Sequence, residues 1–508
     1  MLSRKRSRGM RHQHSWKAYE ENAWGADEYH PISKSGSYLT SNERGMGYTI
    51  VDSLDSLLLM GFDEEYERAR DWVKDELSFD VPGKVNGFET IIRILGGLLS
   101  AYYLTSTHTN PVYHDDSSLF LEKALDLSDR LLPLFDTPSG IPYSFIDLAA
   151  RKAYPDADNG GMSSLAEAGT LQLEFKYLSE ISGNPMYGEK AEHVMMLLDK
   201  QMPAEGVAPV LLNPQTGQFA LFDIRLGSRG DSYYEYLLKQ WIQTNRTEPV
   251  YRKMYDRSMK GIEQVLMNRS AKQGLVFTHE LGPQRGRDGI PQWMIRPKQD
   301  HLVCFLGGSM LLGVASAYPN NQPVWSQLTP SQKIDYAAGK GLIETCVNTY
   351  EGNPTGLGAE IVMFRSPAES KAHKGNLDWY IKHGLQDEPI LDGRNILRPE
   401  TIESLFLAYR LTGDQIYRDQ GWRMFKAFER YCRLPGGGYA GIADVENGVQ
   451  VERLDKMETF WLSETLKYFY LLFSDGQTVP LDQNVFNTEA HILPIFTPKG
   501  VSDFASSV

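Results

Sequence analysis

The sequence predicts an all-α fold, an (α/α)7 barrel built from helical hairpins. Seven segments carry wide apolar faces at helical spacing, and more amphipathic segments alternate with them. From Asp52 to Glu458 the apolar segments recur about every 68 residues, roughly the length of two helices and their loops. Helices this apolar are typical of a protein interior, so they form the predicted inner ring and the amphipathic helices form the outer ring.

Each element of the barrel is predicted from its own stretch of sequence. The inner helices are predicted at residues 49–62, 89–104, 163–181, 231–244, 300–313, 400–414 and 458–473, and outer helices with one polar face at 63–77, 118–135 and 414–432. A Gly-rich stretch over 434–455 predicts small β-hairpins that cap one end. The apolar residues on both sides of Thr488, Glu489 and His491 predict that this C-terminal segment inserts into the barrel and plugs one end.

The even spacing of the helices leaves no internal domain boundary, so one catalytic domain is expected over residues 15–498. Residues 1–14 carry a basic cluster and are expected to be disordered, as is the tail at 499–508. No stretch contains the roughly 18 to 20 apolar residues of a membrane-spanning helix. We therefore expect no membrane span within this chain.

Charge and cysteine content exclude several classes of protein. The net charge of -13 and the pI near 5.4 argue against nucleic-acid binding and favour a neutral or cationic ligand. Three cysteines, Cys304, Cys346 and Cys432, are too few for a disulfide scaffold and form no CxxC zinc motif. The N-glycosylation sequons at Asn245 and Asn268 favour a secretory compartment, where one disulfide can persist.

Acidic residues recur at the starts of the apolar helices. Any one of them alone is typical of a helix cap, because a first-turn carboxylate interacts favourably with unpaired N–H groups and the helix dipole. Their recurrence needs another reason, since buried charges must be paired or functional. If the inner helices run parallel, the acids meet at one mouth of the barrel, where Arg229 and Arg398 supply positive charge. The acids are Asp52, Asp55, Glu89, Glu167, Asp231, Asp300, Glu400 and Glu458.

A funnel lined by carboxylates suits two chemistries, binding of a hard cation and hydrolysis of a glycosidic bond. Hydrolysis needs one carboxyl group that protonates the leaving oxygen and one carboxylate that activates water or attacks. Further acids can accept hydrogen bonds from sugar hydroxyls, and an aromatic ring such as Phe460 can stack on a sugar. No nucleophile elbow, phosphate loop or HExxH motif indicates another chemistry.

Several strings together identify a family. "VDSLDSLLLMG", "FETIIRILGGLLSAY", "RGDSYYEYLLKQWIQT", "DHLVCFLGG", "ILRPETIESLFLAYRLTGD", "METFWLSETLKYFYLLF" and "VFNTEAH" occur in this order within residues 15–496. They closely resemble the class I α-1,2-mannosidases, glycoside hydrolase family 47. The resemblance implies an (α/α)7 barrel and an inverting, Ca²⁺-dependent exo-mannosidase that acts on high-mannose N-glycans. It also leads us to expect a monomer.

The same resemblance implies roles for individual residues. Glu400 matches the general base that activates water, while Glu89 and Asp231 match the other catalytic acids, and which of them delivers the proton stays open. Thr488 matches the residue that binds Ca²⁺ through its carbonyl and hydroxyl oxygens; no role is implied for His491. Sites that contact the sugar or position charge match Arg93, Glu167, Arg229, His301, Arg398, Glu403, Phe460, Glu464 and Glu489. Cys304 and Cys346 align with the family's disulfide, which leaves Cys432 free.

Within the family, Arg229 before Asp231 resembles the endoplasmic-reticulum type, which removes one mannose from the middle branch of the nine-mannose glycan. A structural counter-ion for Asp231 is the alternative role of Arg229. The resemblance implies the lumen of the endoplasmic reticulum or early secretory pathway, and relatives of this type carry a membrane anchor that is absent from this chain. Two alternatives are a Golgi-type mannosidase with broader trimming, which usually lacks this arginine, and a non-catalytic mannose-binding lectin, which would lack a catalytic residue.

Overall fold

The computed structural model describes residues 2–40, 44–286, 291–365, 378–383 and 391–507. Within these residues, fourteen helices of seven or more residues build the domain. They are α1 (Leu2–Asn22), α2 (Tyr48–Met60), α3 (Asp63–Asp75), α4 (Gly96–Ser106), α5 (Asp116–Leu131), α6 (Gln172–Ser182), α7 (Met186–Gln201), α8 (Asp231–Gln243), α9 (Pro249–Gly261), α10 (Phe305–Ala315), α11 (Pro330–Glu351), α12 (Glu400–Thr412), α13 (Gln415–Tyr431) and α14 (Leu466–Leu472).

Shorter helical pieces extend several of these helices. Two short α-helices are Gly87–Glu89 and Leu165–Gly169, and three π-helical segments are Thr90–Leu95, Ile262–Leu266 and Trp461–Thr465. Turns of 3-10 helix are Pro111–Tyr113, Leu132–Phe135, Ala157–Asn159, His301–Cys304, Pro319–Asn321 and Trp325–Gln327.

The even-numbered helices form a closed inner ring. Each packs against the next from α2 to α14, and the π-helical segment before α14 returns to α2. One odd-numbered helix packs outside each of them, α3 on α2 and so on to α13 on α12, with α1 outside α14. Every residue of α10 is buried, whereas α13 buries one face that includes Tyr417, Met424 and Phe428. This arrangement confirms the predicted (α/α)7 barrel.

The starts of two predicted inner helices differ from the structure. Residues 163–181 were expected as one helix, but the backbone leaves helical geometry at Thr170 between Leu165–Gly169 and α6. At the predicted helix 300–313, Asp300 ends a strand, residues 301–304 form a 3-10 turn, and α10 begins only at Phe305. Asp300 pairs with Lys298 and is no helix start.

Small antiparallel sheets decorate the barrel. They are β1–β2 (Glu28–His30, Ser35–Ser37), β3–β4–β5 (Lys84–Asn86, Phe145–Asp147, Lys152–Tyr154), β6–β7 (Ser163–Ser164, Leu211–Leu212), β8–β9 (Met267–Arg269, Val276–Thr278), β10–β11 (Glu280–Arg285, Pro291–Arg296), β12–β13–β14 (Lys298–Asp300, Ile361–Phe364, Trp379–Tyr380) and β15–β16 (Asn484–Phe486, Ile492–Pro494). The hairpins expected at 434–455 appear only as isolated bridges, including Ile442 with Arg453.

The β15–β16 hairpin is the predicted plug. Val485 pairs with Leu493, and Ala490, Ile492 and Leu493 are fully buried. The hairpin packs against α4 and α8 of the inner ring. Ala490 adopts a left-handed backbone conformation (φ 59°), which turns the chain between the two strands.

Both termini contact the barrel. Residues 2–14, expected to be disordered, belong to helix α1, which packs on α14 and buries Trp16 and Tyr19 completely. At the other end, the ring of Phe504 lies 6.2 Å from that of Tyr251, and Ala505 is fully buried. Apolar contacts therefore hold the second half of α1 and the C-terminal segment. No helix among the described residues is long and apolar enough to cross a bilayer.

One disulfide bond joins the inner and outer rings. Cys304, directly before α10, is bonded to Cys346 in α11, as predicted. Cys432 is a buried free thiol.

Candidate active site

A cavity of about 310 Å³ opens at one mouth of the barrel, where six of the seven inner helices begin. The predicted convergence of the helix starts is therefore present, and eleven of the thirteen predicted catalytic, sugar-binding and metal-binding residues line this cavity. These eleven are Glu89, Arg93, Glu167, Arg229, Asp231, Arg398, Glu400, Phe460, Glu464, Thr488 and Glu489.

Two π-helical segments shape this mouth. Thr90–Leu95 follows directly after Glu89 and contains Arg93, and Trp461–Thr465 follows directly after Phe460 and contains Glu464. A π-helical segment closes its hydrogen bonds between residues five apart instead of four, is rare, and is frequent at functional sites. The wider turn displaces the residues of the first helical turn from the positions that a regular α-helix gives them.

Arg93 connects three acids at the base of the cavity. Its Nε donates to Glu89 Oε2 at 2.8 Å, and its Nη1 donates to Glu489 and to Thr459 Oγ1. Asp52 Oδ2 lies 3.6 Å from Nη1. Burial lowers the pKa of Arg93, but the surrounding carboxylates outweigh it and raise the pKa well above its usual value. The guanidinium therefore stays charged and fixes the orientation of Glu89.

Glu400 is held as a carboxylate. His301 Nδ1 lies 2.6 Å from Glu400 Oε2, and Arg398 Nη1 lies 3.7 Å from Oε1. Burial acts to raise the pKa of Glu400, but the hydrogen bond to His301 and the charge of Arg398 lower it below its usual value. His301 Nε2 in turn lies 2.8 Å from the Tyr350 hydroxyl and 3.0 Å from Thr401 Oγ1, which fixes the imidazole. Glu400 is thus prepared to accept a proton.

Asp231 has the opposite electrostatic environment. Burial and the nearby carboxylates of Glu235, Glu400 and Asp300 raise the pKa of Asp231 to about 7, although the Ser232 N–H donates to its Oδ1 at 2.8 Å. Two carboxyl groups in one cavity therefore have pKa values displaced in opposite directions. Such a separation is how one site supplies both an acid and a base near neutral pH.

Glu167 lies on the cavity wall as a helix cap. Its carboxylate accepts from the Ser164 N–H in a capping box, from Asn86 Nδ2 at 2.8 Å and from Ser144 Oγ at 2.9 Å. The contacts of Glu167 are therefore those of a helix cap. Because the side chain also lies on the cavity wall, it adds a hydrogen-bond acceptor to the cavity.

Thr488 enters the cavity from the C-terminal plug. Its Oγ1 donates to Glu235 Oε2 at 2.8 Å, and its N–H donates to the Tyr236 hydroxyl at 3.3 Å. The neighbouring Asn487 holds the turn, because its Oδ1 accepts from the N–H groups of residues 489 and 491 while its Nδ2 donates to Ile92 O and Glu174 Oε1. All four hydrogen-bonding positions of this amide are used.

The acids around Thr488 carry more negative charge than their partners neutralise. Burial and the carboxylates of Glu235 and Glu400 raise the pKa of Glu403 to about 8, despite Lys239 Nζ at 3.7 Å. Burial and neighbouring carboxylates also raise the pKa of Glu464 and Glu489 well above usual values. Within the described residues Glu464 has no cationic partner within 4 Å. A bound cation would relieve this repulsion.

The donor set in this region consists of oxygen atoms. Hydroxyl, carbonyl and carboxylate oxygens suit a hard cation such as Ca²⁺ better than a soft one. No group of three or more His, Cys, Asp or Glu side chains in the described residues lies close enough to ligate one ion directly. The residues fit a cation that Thr488 contacts and that the surrounding acids reach through water.

The cavity wall also carries three arginines and an aromatic ring. The guanidinium carbons of Arg93 and Arg398 lie 5.8 and 5.9 Å from the centre of the Phe460 ring. Arg398 Nε also donates to Glu360 at 2.8 Å. Arg229 has a left-handed backbone (φ 75°), and within the described residues no carboxylate lies within 4 Å of its guanidinium. Its role as counter-ion of Asp231 is therefore not supported.

Two predicted residues stand behind the cavity wall. His301 contacts Glu400, and Glu403 lies beside Lys239; neither lines the cavity. Glu360 and Asn487 take part in the site but were not predicted, since Glu360 lies on no apolar helix and an amide carries no charge signal. The only sequence signal for Asn487 is its position directly before Thr488.

His491 has a partner on each side of its ring. Nε2 lies 3.0 Å from Asp52 Oδ1 and Nδ1 lies 3.1 Å from Asp55 Oδ2. Lys467 Nζ also reaches Asp55 at 2.9 Å and the Ala490 carbonyl at 2.7 Å. These contacts anchor the plug beneath Thr488.

Known proteins resemble the chain over nearly its whole length. The model of glycosyl hydrolase family 47 matches residues 11–495. A mannosyl-oligosaccharide 1,2-alpha-mannosidase of Candida albicans is 42% identical over 495 residues, covering 95% of this chain and 82% of that protein. An endoplasmic reticulum mannosyl-oligosaccharide 1,2-alpha-mannosidase of Schizosaccharomyces pombe is 40% identical over 487 residues, covering 94% and 87%. The solved structure of an alpha-1,2-mannosidase from Trichoderma reesei superposes with a TM-score of 0.82 at 27% identity, covering 97% and 99%.

Proposed function

The chain belongs to glycosyl hydrolase family 47, and we propose that it is a Ca²⁺-dependent, inverting exo-α-1,2-mannosidase that trims high-mannose N-glycans. The observation that carries the proposal is the pairing, in one cavity, of an ionised Glu400 with an Asp231 whose pKa is raised to about 7. The names of relatives at about 40% identity support the substrate class.

In the proposed reaction, Glu400 takes a proton from the water whose oxygen attacks the anomeric carbon of the terminal mannose. As the new C–O bond forms, the bond to the leaving oxygen breaks, and a carboxylic acid gives that oxygen a proton. Asp231 suits this donor role through its raised pKa, and Glu89, which Arg93 orients on the cavity wall, is the second candidate. His301 and Arg398 keep Glu400 ionised and oriented.

Thr488 is the proposed protein ligand of Ca²⁺. The excess negative charge of Glu403, Glu464 and Glu489 supports this choice, because a dication would stabilise all three carboxylates. When bound, the ion polarises water and orients sugar hydroxyls. The role of Glu235 is to accept a hydrogen bond from the Thr488 hydroxyl and so hold that oxygen in place.

The finer proposal is a single cleavage from nine to eight mannose residues in the early secretory pathway. Arg229 supports it, since a guanidinium without a carboxylate partner on the cavity wall is free to donate to hydroxyl groups of a neighbouring branch. The name of the S. pombe relative supports the endoplasmic reticulum as the location.

The direct test is incubation with the nine-mannose glycan, with added Ca²⁺ or with a chelator, followed by chromatographic identification of the product isomer. We expect one eight-mannose isomer with Ca²⁺ and none with chelator. An absence of released mannose in Ca²⁺ would refute the activity. Equal activity in the chelator would refute the cofactor assignment alone.

A further inference from the structure

A second cavity adjoins the candidate active site. Its volume is about 290 Å³, and it shares the ion pair of Glu89 and Arg93 with the first cavity as a common wall. The rest of its lining comes from the N-terminal region, from strand β3 and from the residues before the Trp461–Thr465 segment. The two cavities thus lie side by side, separated by one of the candidate catalytic acids.

The wall of the second cavity is polar and electrically balanced. Lys456 Nζ lies 2.8 Å from Glu28 Oε1 and 3.2 Å from Glu458 Oε2. Lys84 and the shared ion pair complete the charged lining, so three acids face three bases. A balanced wall favours neither an anion nor a cation. It offers both donors and acceptors to the hydroxyl groups of a neutral ligand.

This balance contrasts with the first cavity, where acids predominate. The side chains of Lys456 and Glu28 are also 38% and 26% exposed, so a ligand can reach them from solvent. Leu39 and Val85 add apolar surface to the lining. The apolar residues can contact the C–H groups of a pyranose ring, and the charged residues can bind its hydroxyl groups.

We propose that the second cavity binds a further mannose residue of the same N-glycan, one from a branch that is not being cut. The inference rests on the proposed function, which fills the first cavity, of nearly equal volume, with the terminal mannose. A branched glycan presents neighbouring sugars beside the one that is cleaved, and the shared wall brings the two cavities within reach of one glycan. The second cavity therefore contributes to affinity for large glycans and takes no part in bond cleavage.

Two variants test the subsite in different ways. Lys456→Met removes the ammonium donor but keeps an unbranched side chain of similar length. Leu39→Trp narrows the cavity without altering any ion pair, because Leu39 is an apolar lining residue that is 37% exposed. Lys499→Met is the matched control, since this lysine is 79% exposed and lines neither cavity.

The readout is a comparison of two substrates, the nine-mannose glycan and the methyl glycoside of the α-1,2-linked mannose disaccharide. The disaccharide has no neighbouring branch that could occupy the second cavity. We expect both variants to raise KM for the large glycan about fivefold, which corresponds to about 1 kcal/mol of binding free energy. For Lys456→Met the loss is that of one hydrogen bond, and for Leu39→Trp it is the loss of space for the sugar. The value of kcat/KM for the disaccharide and the melting temperature stay at those of Lys499→Met.

Three results would overturn the inference. An equal loss on both substrates would show that Lys456 acts on the catalytic groups, and unchanged KM for the large glycan in both variants would show that the cavity is not used. If the wild-type chain cleaves neither substrate, the proposed function fails first and the subsite with it. Activity of the wild type on both substrates separates these cases.

Discussion

Two clusters of buried charge lie next to the turn at residues 487–491, and they differ in how their charges are compensated. The sealed cluster consists of Asp52, Asp55, Lys467 and His491, whose side chains are fully buried. The open cluster consists of the acids Asp231, Glu403, Glu464 and Glu489 at or behind the first cavity.

Burial disfavours the charged form in both clusters, yet the pKa values of the acids are lowered in the sealed cluster and raised in the open one. In the sealed cluster, Asp52 and Asp55 overcome the effect of burial and raise the pKa of His491 to about 9, while Lys467 and His491 lower the pKa of Asp55. In the open cluster, burial and mutual repulsion raise the pKa of every acid. Charges that stabilise one another indicate a structural role, and charges that remain uncompensated indicate a site for a ligand.

The largest effect is expected from removal of the Glu400 carboxylate, whose pKa is lowered. Glu400→Gln cannot accept a proton from water, so we expect kcat to fall by about 10³- to 10⁴-fold, the upper range for a general base. The amide has the same shape, so glycan binding and melting temperature stay close to wild type. Steady-state kinetics and calorimetry measure both, with Glu351→Gln, in a surface ion pair with Arg423, as control. A loss below tenfold would refute the assignment of the base.

The sealed cluster can be broken by removing one cation. Lys467→Met removes the ammonium group beside Asp55 and leaves His491 as its cationic partner among the described residues. We therefore expect a loss of about 3–5 kcal/mol in the free energy of unfolding. Denaturant unfolding in Ca²⁺ measures it, with the exposed Lys499→Met as control. A change below about 1 kcal/mol would mean that the cluster does not hold the plug in place.

Much of the open cluster was predictable from the sequence, because its members share a local signal. An acid in the first turn of an unusually apolar helix can be recognised in the sequence, and four of these predicted acids, Glu89, Glu167, Asp231 and Glu400, do meet at one cavity. The proposed metal ligand Thr488 was predicted through a resemblance that spans residues 15–496. The disulfide of Cys304 was predicted by the same route and confirmed.

The sealed cluster was not predictable in the same way. His491 meets Asp52 and Asp55 across more than 430 residues, and only closure of the ring brings them together. The π-helical segments that position Arg93 and Glu464 also have no local sequence signal, since tertiary contacts such as the bond from Asn487 to the Ile92 carbonyl accompany them. Features that depend on contacts between distant residues could therefore not be predicted from the sequence.

Neutralising an acid of the open cluster should have the opposite sign to Lys467→Met. With chelator present, Glu403→Gln relieves repulsion, and we expect the free energy of unfolding to rise by about 0.5–2 kcal/mol at pH 8. The sign follows from the pKa of Glu403, raised from 4.5 to about 8: the unfolded chain loses its proton first, so stability falls as pH rises through that range. Denaturant unfolding at pH 5 and pH 8 measures the slope, which the variant should reduce.

The same substitution should weaken Ca²⁺ binding, since one carboxylate fewer stabilises the ion. Calorimetric titration of Ca²⁺ into the chelator-treated protein checks this without relying on activity. Tighter binding in Glu403→Gln would contradict the interpretation of the open cluster as a cation site.

The raised pKa of Asp231 should appear in the pH dependence of catalysis. If Asp231 donates the proton, kcat/KM falls about tenfold per pH unit above pH 7, where the acid is ionised, while Glu400 with its lowered pKa stays active well below pH 7. The residual activity of Asp231→Asn should then lack the alkaline decline. A decline that persists in this variant would assign proton donation to Glu89 or another group.

The smallest expected effect concerns the guanidinium that no carboxylate compensates. Arg229→Leu should leave the release of terminal mannose nearly unchanged but lower the preference for one branch about tenfold, which corresponds to about 1.4 kcal/mol, close to the lower value of one hydrogen bond to a charged group. Chromatographic separation of the eight-mannose isomers measures the preference, with Arg285→Leu on the exposed end of β10 as control. An unchanged single isomer would show that Arg229, although uncompensated, does not select the branch, and that an uncompensated charge in this cavity can serve the fold alone.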